Sequence, residues 1–186
     1  MRISNRVGKT PALRWNSWFV DLGLKQLGYK YVSIDDCWSQ ESCNGSGYLV
    51  PDPSKWPNGI RAVVDKIHGM CLKFGLYSDA GIETCAGHPG SQGYEQQDAD
   101  LLGSWGVDYW KYDNCYTLCN GENPVPQRCC IPRDSQAWYT TLGNAFRSVN
   151  YPILYSLYSW GLDNVWTWGG SMCLKAGPTR QTGYYT

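Results

Sequence analysis

The sequence predicts an α/β fold on a parallel sheet, an incomplete β/α barrel with about five strands. Three observations carry this. Short apolar runs recur along the chain and end in polar or acidic residues, stripes of helical period separate most of them, and carboxylates gather where the runs stop. Continuous apolar strands suit a sheet covered on both faces. Alternation of strand and helix favours parallel pairing through right-handed crossovers. A β/α barrel places its working face at the C-terminal ends of its strands, where these carboxylates fall.

The elements follow in order. Leu13 to Trp18 is the first run and closes on Trp15-Asn16-Ser17-Trp18. Only Phe19 to Gly28 separates it from the next run, a short connection where a parallel crossover normally needs roughly a dozen residues. Tyr29 to Ile34 runs into Asp35-Asp36, and 39–59 is a loop rich in Gly, Pro, Asn and Cys. Ile60, Val63, Val64, Ile67 and Cys71 then share one face of a helix. Phe74 to Tyr77 leads into Ser78-Asp79, and Leu101, Leu102 and Trp105 form a shorter stripe before Gly106. Val107 to Tyr112 leads into Asp113-Asn114, followed by a second long loop over 114–133. Asp134 is placed to cap a helix striped by Trp138, Leu142, Ala145, Phe146 and Val149. Tyr151 to Leu157 is the fifth run. Both long loops belong on the face that holds the strand ends.

Composition narrows the function. With 16 basic against 16 acidic residues, the chain has no electrostatic case for nucleic acid or an anionic membrane surface. No apolar run is long enough to cross a membrane. The cysteines (Cys37, Cys43, Cys71, Cys85, Cys115, Cys119, Cys129, Cys130 and Cys173) argue for an oxidising compartment and secretion. Their number is odd, so at least one thiol is free or paired between chains. Cys115, Cys119, Cys129 and Cys130 have a loose zinc-like look, but no CxxC pair occurs, and neither a metal nor a cofactor is expected. Asn44-Gly45-Ser46 is a glycosylation sequon consistent with secretion. The polar Met1-Arg2-Ile3-Ser4-Asn5 does not read as a signal peptide. Ten Trp and 14 Tyr against 3 Phe suit a core, and equally a pocket for a polar, ring-shaped ligand such as a sugar.

The chemistry rests on carboxylates at the ends of buried strands, where an unpaired charge is costly. Asp35, Asp36, Asp79 and Asp113 occupy such positions. Lys111 lies two residues before Asp113, which puts both on one face of a strand. A lysine there keeps Asp113 ionised and lowers its pKa, as a nucleophile requires. The competing readings are a structural ion pair for Lys111 and Asp113, and a cap or turn for Asp35-Asp36. No dinucleotide or phosphate loop is present. A Ser/His/Asp triad is hard to build from His68, in the helical stripe region, and His88, in a loop. Paired carboxyl groups facing a polar ligand point to glycoside hydrolysis.

Four motifs make a resemblance specific: Trp15-Asn16-Ser17-Trp18, Ile34-Asp35-Asp36-Cys37-Trp38, Gly75-Leu76-Tyr77-Ser78-Asp79-Ala80-Gly81 and Lys111-Tyr112-Asp113-Asn114-Cys115. In this order they resemble glycoside hydrolase family 27, the melibiase or α-galactosidase family, in its fungal form. The resemblance implies a (β/α)8 TIM-barrel fold and removal of terminal α-linked galactose with retention. It implies Asp113 as the nucleophile of a covalent galactosyl-enzyme, and Lys111 as a sugar-binding neighbour. Asp35 and Asp36 match the pair that grips galactose hydroxyls, and Trp15 and Tyr77 match walls of the pocket. Cys85 and Cys115 match a disulfide beside the nucleophile, with Cys85 close to the sugar. The implied partners are galactose and α-galactoside oligosaccharides.

Several positions depart from the family pattern. The chain follows it through Asn164-Val165-Trp166-Thr167-Trp168-Gly169, so 1–169 is expected to be the partial barrel and 170–186 a divergent tail. The family's acid/base aspartate has no match, and no acidic residue follows Asp163. Arg14 stands in place of a glycine, Tyr158 in place of a sugar-contacting cysteine, and the usual partner of Cys37 is missing. Two alternatives stay open beside the hydrolase: a non-catalytic galactose-binding fragment, and an α-N-acetylgalactosaminidase.

Overall fold

The structure, a computed structural model, describes residues 2–3, 20–117 and 134–172. Five parallel strands form one sheet in the order β1 (Arg2–Ile3), β2 (Tyr31–Ile34), β3 (Lys73–Asp79), β4 (Tyr109–Asp113) and β5 (Leu154–Leu157). Helices α1 (Gly59–Gly69), α2 (Glu95–Trp105) and α3 (Ser135–Ser148) join β2 to β3, β3 to β4 and β4 to β5, and α4 (Val165–Met172) follows β5. Each strand lies beside its predecessor and the order never reverses, so this is part of a β/α barrel and not a doubly wound sheet. Among the described residues the sheet stays open at β1 and β5. The run expected at 13–18 lies outside the described residues. Arg2↔Ser33 and Ile3↔Ile34 supply the pairing beside β2, a two-residue strand too short to leave a hydrophobic run.

The helices form for the reasons their stripes suggest. Ile60, Val63, Val64 and Ile67 are buried at the i, i+3, i+4, i+7 spacing of α1. Cys71 corrects the stripe: α1 ends at Gly69, and Cys71 is exposed in the turn beyond it at φ +55°, its N–H donating to the His68 carbonyl at 2.8 Å. Extending the period one turn too far put it on the helix. Helix α2 stops at Gly106, which takes φ +76° so that its own N–H and that of Val107 reach the Gly103 and Leu102 carbonyls. Asp134 caps α3, its carboxylate accepting from Ala137 N at 3.1 Å. Tyr139, Leu142, Ala145 and Phe146 form the buried side of α3, with Trp138 and Val149 half-buried at its margin.

Strand alternation sorts the core from the site. Phe74 and Leu76 of β3, Trp110 and Tyr112 of β4, and Tyr155 and Leu157 of β5 share one hydrophobic cluster with the helices. Tyr112, Tyr139 and Tyr155 meet there with ring centroids 5.6 to 6.4 Å apart. The tryptophans divide: Trp38, Trp56 and Trp110 are buried, whereas Trp160 and Trp166 are exposed. Trp38 Nε1 donates to the Tyr77 carbonyl at 2.7 Å and Trp56 Nε1 to the Trp38 carbonyl at 2.8 Å. The first bond ties the loop after β2 to β3, and the second closes that loop on itself.

The loops after β3 and β4 touch backbone to backbone. A Cβ on Gly81 would collide with the Cys115 carbonyl, which is main chain and has nowhere to go. Gly81→Ala therefore destabilises the fold by about 1–3 kcal/mol, the usual range for overpacking. A urea melt checks this, and an unchanged midpoint would show that the loops separate freely.

Candidate active site

Register places Tyr77 opposite Lys111, and Asp79 opposite Asp113. Because Phe74, Leu76, Trp110 and Tyr112 face the helices, these four side chains share the opposite, inner face of the sheet. Lys111 is the centre of the group. Its Nζ lies 3.4 Å from both oxygens of Asp35, 3.5 Å from Asp113 Oδ2, and over the rings of Tyr77 and Tyr158 at 4.4 and 4.5 Å. Two carboxylates and two ring faces compensate one nearly buried ammonium.

Asp113 ends β4 and is 4% exposed. Its Oδ1 accepts from Asn114 N at 3.1 Å, and its Oδ2 accepts from the Tyr77 hydroxyl at 3.1 Å. Burial raises its pKa above the ordinary carboxylate range, and Lys111, the Asn114 N–H and the Tyr77 hydroxyl pull the other way without cancelling it. The expectation that Lys111 would leave this pKa lowered is thereby corrected. Lys111 shares its charge with Asp35, and desolvation of a nearly enclosed carboxyl outweighs the remainder. Burial and the Asp113 charge push the Tyr77 phenol well up, so it stays a neutral donor.

The adjacent acids of the β2 exit part company. Asp35 turns to Lys111, while Asp36 accepts from Thr84 Oγ1 at 2.8 Å, Ala86 N at 3.0 Å and Cys37 N at 2.7 Å. Asp36 thus holds the segment around Cys85. Cys85 and Cys115 are joined as a disulfide, compatible with secretion, that ties this segment to the residue after Asn114. Trp15 lies outside the described residues.

Asp79 has a role that its sequence position could not reveal. It is fully buried and accepts from Gly81 N at 2.8 Å and from Cys115 N at 2.8 and 2.9 Å. Burial raises its pKa even against those bonds. The acid at the strand end was visible in the sequence, but its partners are main-chain groups that no residue pattern marks. Asp79→Asn, which turns an amide N–H toward these donors, costs about 1–3 kcal/mol of stability. Denaturant midpoints check it, and wild-type stability would show that the clamp holds nothing.

Further hydrogen bonds run behind Asp113. The Tyr139 hydroxyl donates to the Asp113 carbonyl at 3.3 Å, Asn114 Nδ2 donates to Ser135 Oγ at 3.3 Å, and Ser135 Oγ donates to Asp163 Oδ2. Asp163 sits at φ +54°, with its carbonyl accepting from Trp168 Nε1 at 2.8 Å. Sequence reasoning missed Tyr139 and Ser135, whose helical positions say nothing of the strand they meet. His68 lies away from this group, its Nε2 2.7 Å from Asp108 Oδ2 just before β4 begins. His88 Nδ1 lies 3.3 Å from the Gln40 carbonyl in the outer loops.

A family model described as Alpha galactosidase A matches residues 13–167. The chain belongs to this α-galactosidase family. It is 41% identical over 216 residues to "Probable alpha-galactosidase B" of Aspergillus clavatus, a match covering 89% of this chain and 47% of the relative. Among solved structures it is similar to α-galactosidase I of Mortierella vinacea, with TM-score 0.80 and 40% identity over 92% of this chain and 42% of that one. It is similar also to the Saccharomyces cerevisiae α-galactosidase solved with raffinose, with TM-score 0.77 and 40% identity over 87% of this chain and 34% of that one. The chain spans about half the length of the curated relatives it matches.

Proposed function

We propose that this α-galactosidase family chain carries the nucleophile side of a retaining site for terminal α-linked galactose. The observation that carries the reading is Asp113, held at the end of β4 by the Asn114 N–H and the Tyr77 hydroxyl and paired with a lysine shared with Asp35. The Asp113 carboxylate attacks the anomeric carbon, the bond to the leaving oxygen breaks, and the galactosyl ester formed is then hydrolysed by water. Lys111 and Asp35 offer a charged donor and acceptors to the sugar hydroxyls, and Tyr77 walls the pocket. Asp36, whose oxygens hold the Thr84–Ala86 segment, shapes that wall and places Cys85 beside it. Trp15 takes the role of the facing aromatic wall that the family resemblance implies. No cofactor enters this scheme.

A separate carboxylic acid protonates the leaving oxygen in a retaining reaction. Asp163 has one oxygen engaged by Ser135, and that commitment favours, as a second reading, a site that binds galactose without turnover. Hydrolysis of p-nitrophenyl α-galactoside separates the two, because nitrophenolate leaves with little acid assistance. Turnover supports the hydrolase, while saturable galactose binding without turnover supports the second reading. The disulfide, together with the exposed Asn44 of the sequon, supports secretion.

A further inference from the structure

Four potential ligand atoms converge at the floor of this site. One each from Asp79, Cys85, Asp113 and Cys115, they all lie within 4.8 Å of one another. The carboxylates come from paired positions on β3 and β4. The sulfurs come from the loops that follow, with Cα atoms 5.3 Å apart. A tetrahedral zinc site, with Zn–S of about 2.3 Å and Zn–O of about 2.0–2.2 Å, sets its donors roughly 3–4 Å apart. The two sulfurs are bonded to each other in the oxidised chain and must part on reduction to reach that spacing, while the carboxylate oxygens already lie within 4.8 Å of them. Asp79 is oriented by the N–H groups of Gly81 and Cys115, and Asp113 by those of Asn114 and the Tyr77 hydroxyl, which is the support that ligating carboxylates need. What the disulfide withholds is thiolate, the form of cysteine that binds metal.

We propose that reduction of Cys85–Cys115 converts this floor into a tetrahedral site for a borderline-soft divalent cation such as Zn²⁺, bound by both thiolates, Asp79 and Asp113. A dithiol or phosphine reductant supplies two electrons. The S–S bond breaks and both sulfurs become thiols, their protons coming from the dithiol, which leaves as its own disulfide, or from water, which also gives its oxygen to the phosphine oxide. Metal binding then displaces a proton from each thiol. This site stands independently of the galactosidase reading. Where that reading holds, the bound ion also occupies the nucleophile and blocks turnover until a chelator removes it.

The test uses the full chain, reduced with a phosphine under nitrogen and treated with iodoacetamide with and without Zn²⁺, then digested and mapped. Cys85 is exposed and reports on the site, while Cys37, Cys43 and Cys71 report in the same digest on thiols outside it. Zn²⁺ is expected to slow Cys85 alkylation at least about tenfold. Asp113→Asn should lose that protection, since losing a ligand exceeds the roughly 10–100-fold that losing a supporting partner costs. Equal alkylation of wild-type Cys85 with and without Zn²⁺ overturns the proposal, and this arm needs no variant to fold. Protection undiminished in both Asp113→Asn and Asp79→Asn overturns it too, because the ion would then rest on thiols alone.

Discussion

Asp113→Ala is expected to lower hydrolysis of p-nitrophenyl α-galactoside by at least about 10³-fold, the scale of losing a covalent nucleophile. Binding of galactose should survive, because Asp35 and Lys111 remain to hold hydroxyls. Azide distinguishes a nucleophile from a structural ion pair. In the alanine variant it can enter the vacated space, attack the anomeric carbon from the same side and release nitrophenolate as the β-galactosyl azide forms. Rescue with that product identifies Asp113 as the attacking group. Wild-type rates in the variant would reduce Lys111 and Asp113 to a structural pair. The pH profile adds a second readout. The reaction needs ionised Asp113, whose pKa burial raises, so the acidic limb of kcat/KM should lie above the ordinary carboxylate range. Lys111→Met should move that limb higher still, since Lys111 lowers the pKa. A limb that does not move would mean another group sets it.

The largest stability effect is expected from Asp98, away from the site. It lies on α2 at 1% exposure, and among the described residues no well-aligned hydrogen bond reaches either oxygen, Ser91 lying close enough only to ease its charge. Burial raises its pKa from 3.8 to about 7, with Ser91 opposing and Glu95 adding repulsion. A raised carboxyl pKa means that the folded state holds its proton after the unfolded chain has released it. Stability from this group is therefore complete below about pH 4, declines as pH rises, and is lost above about pH 7. The loss amounts to about 4 kcal/mol at most, from about 1.4 kcal/mol for each pH unit of that window. Asp98→Asn should match wild type near pH 4 and exceed it near pH 8. Urea midpoints at the two pH values check this, and parallel behaviour of both proteins would show that Asp98 is charged and solvated in the fold.

Much of the site was legible because its logic is local. Apolar runs stop where chemistry begins, so Asp35, Asp79 and Asp113 could be placed at strand ends from order alone. The two-residue period of a strand put Lys111 beside Asp113, and the 3.5 Å separation agrees. The helix stripes and the Asp134 cap are likewise relations within one element. The Cys85–Cys115 bridge came through family resemblance and is present. Cys71 shows the limit of local period, which cannot tell where a helix gives way to a turn.

Tertiary structure decided what depends on distance across the chain and on exclusion of water. Asp35 and Asp36 are neighbours in sequence, yet one serves the lysine and the other a loop about fifty residues on. Asp79 became a clamp because two backbone N–H groups converge on it, and Ser135 joined the site because α3 packs behind β4. The direction of the Asp113 shift turned on a balance between desolvation and a shared counter-charge. Sequence periodicity orders side chains along an element, but only the packed fold sets how much water each charge loses and which partners replace it.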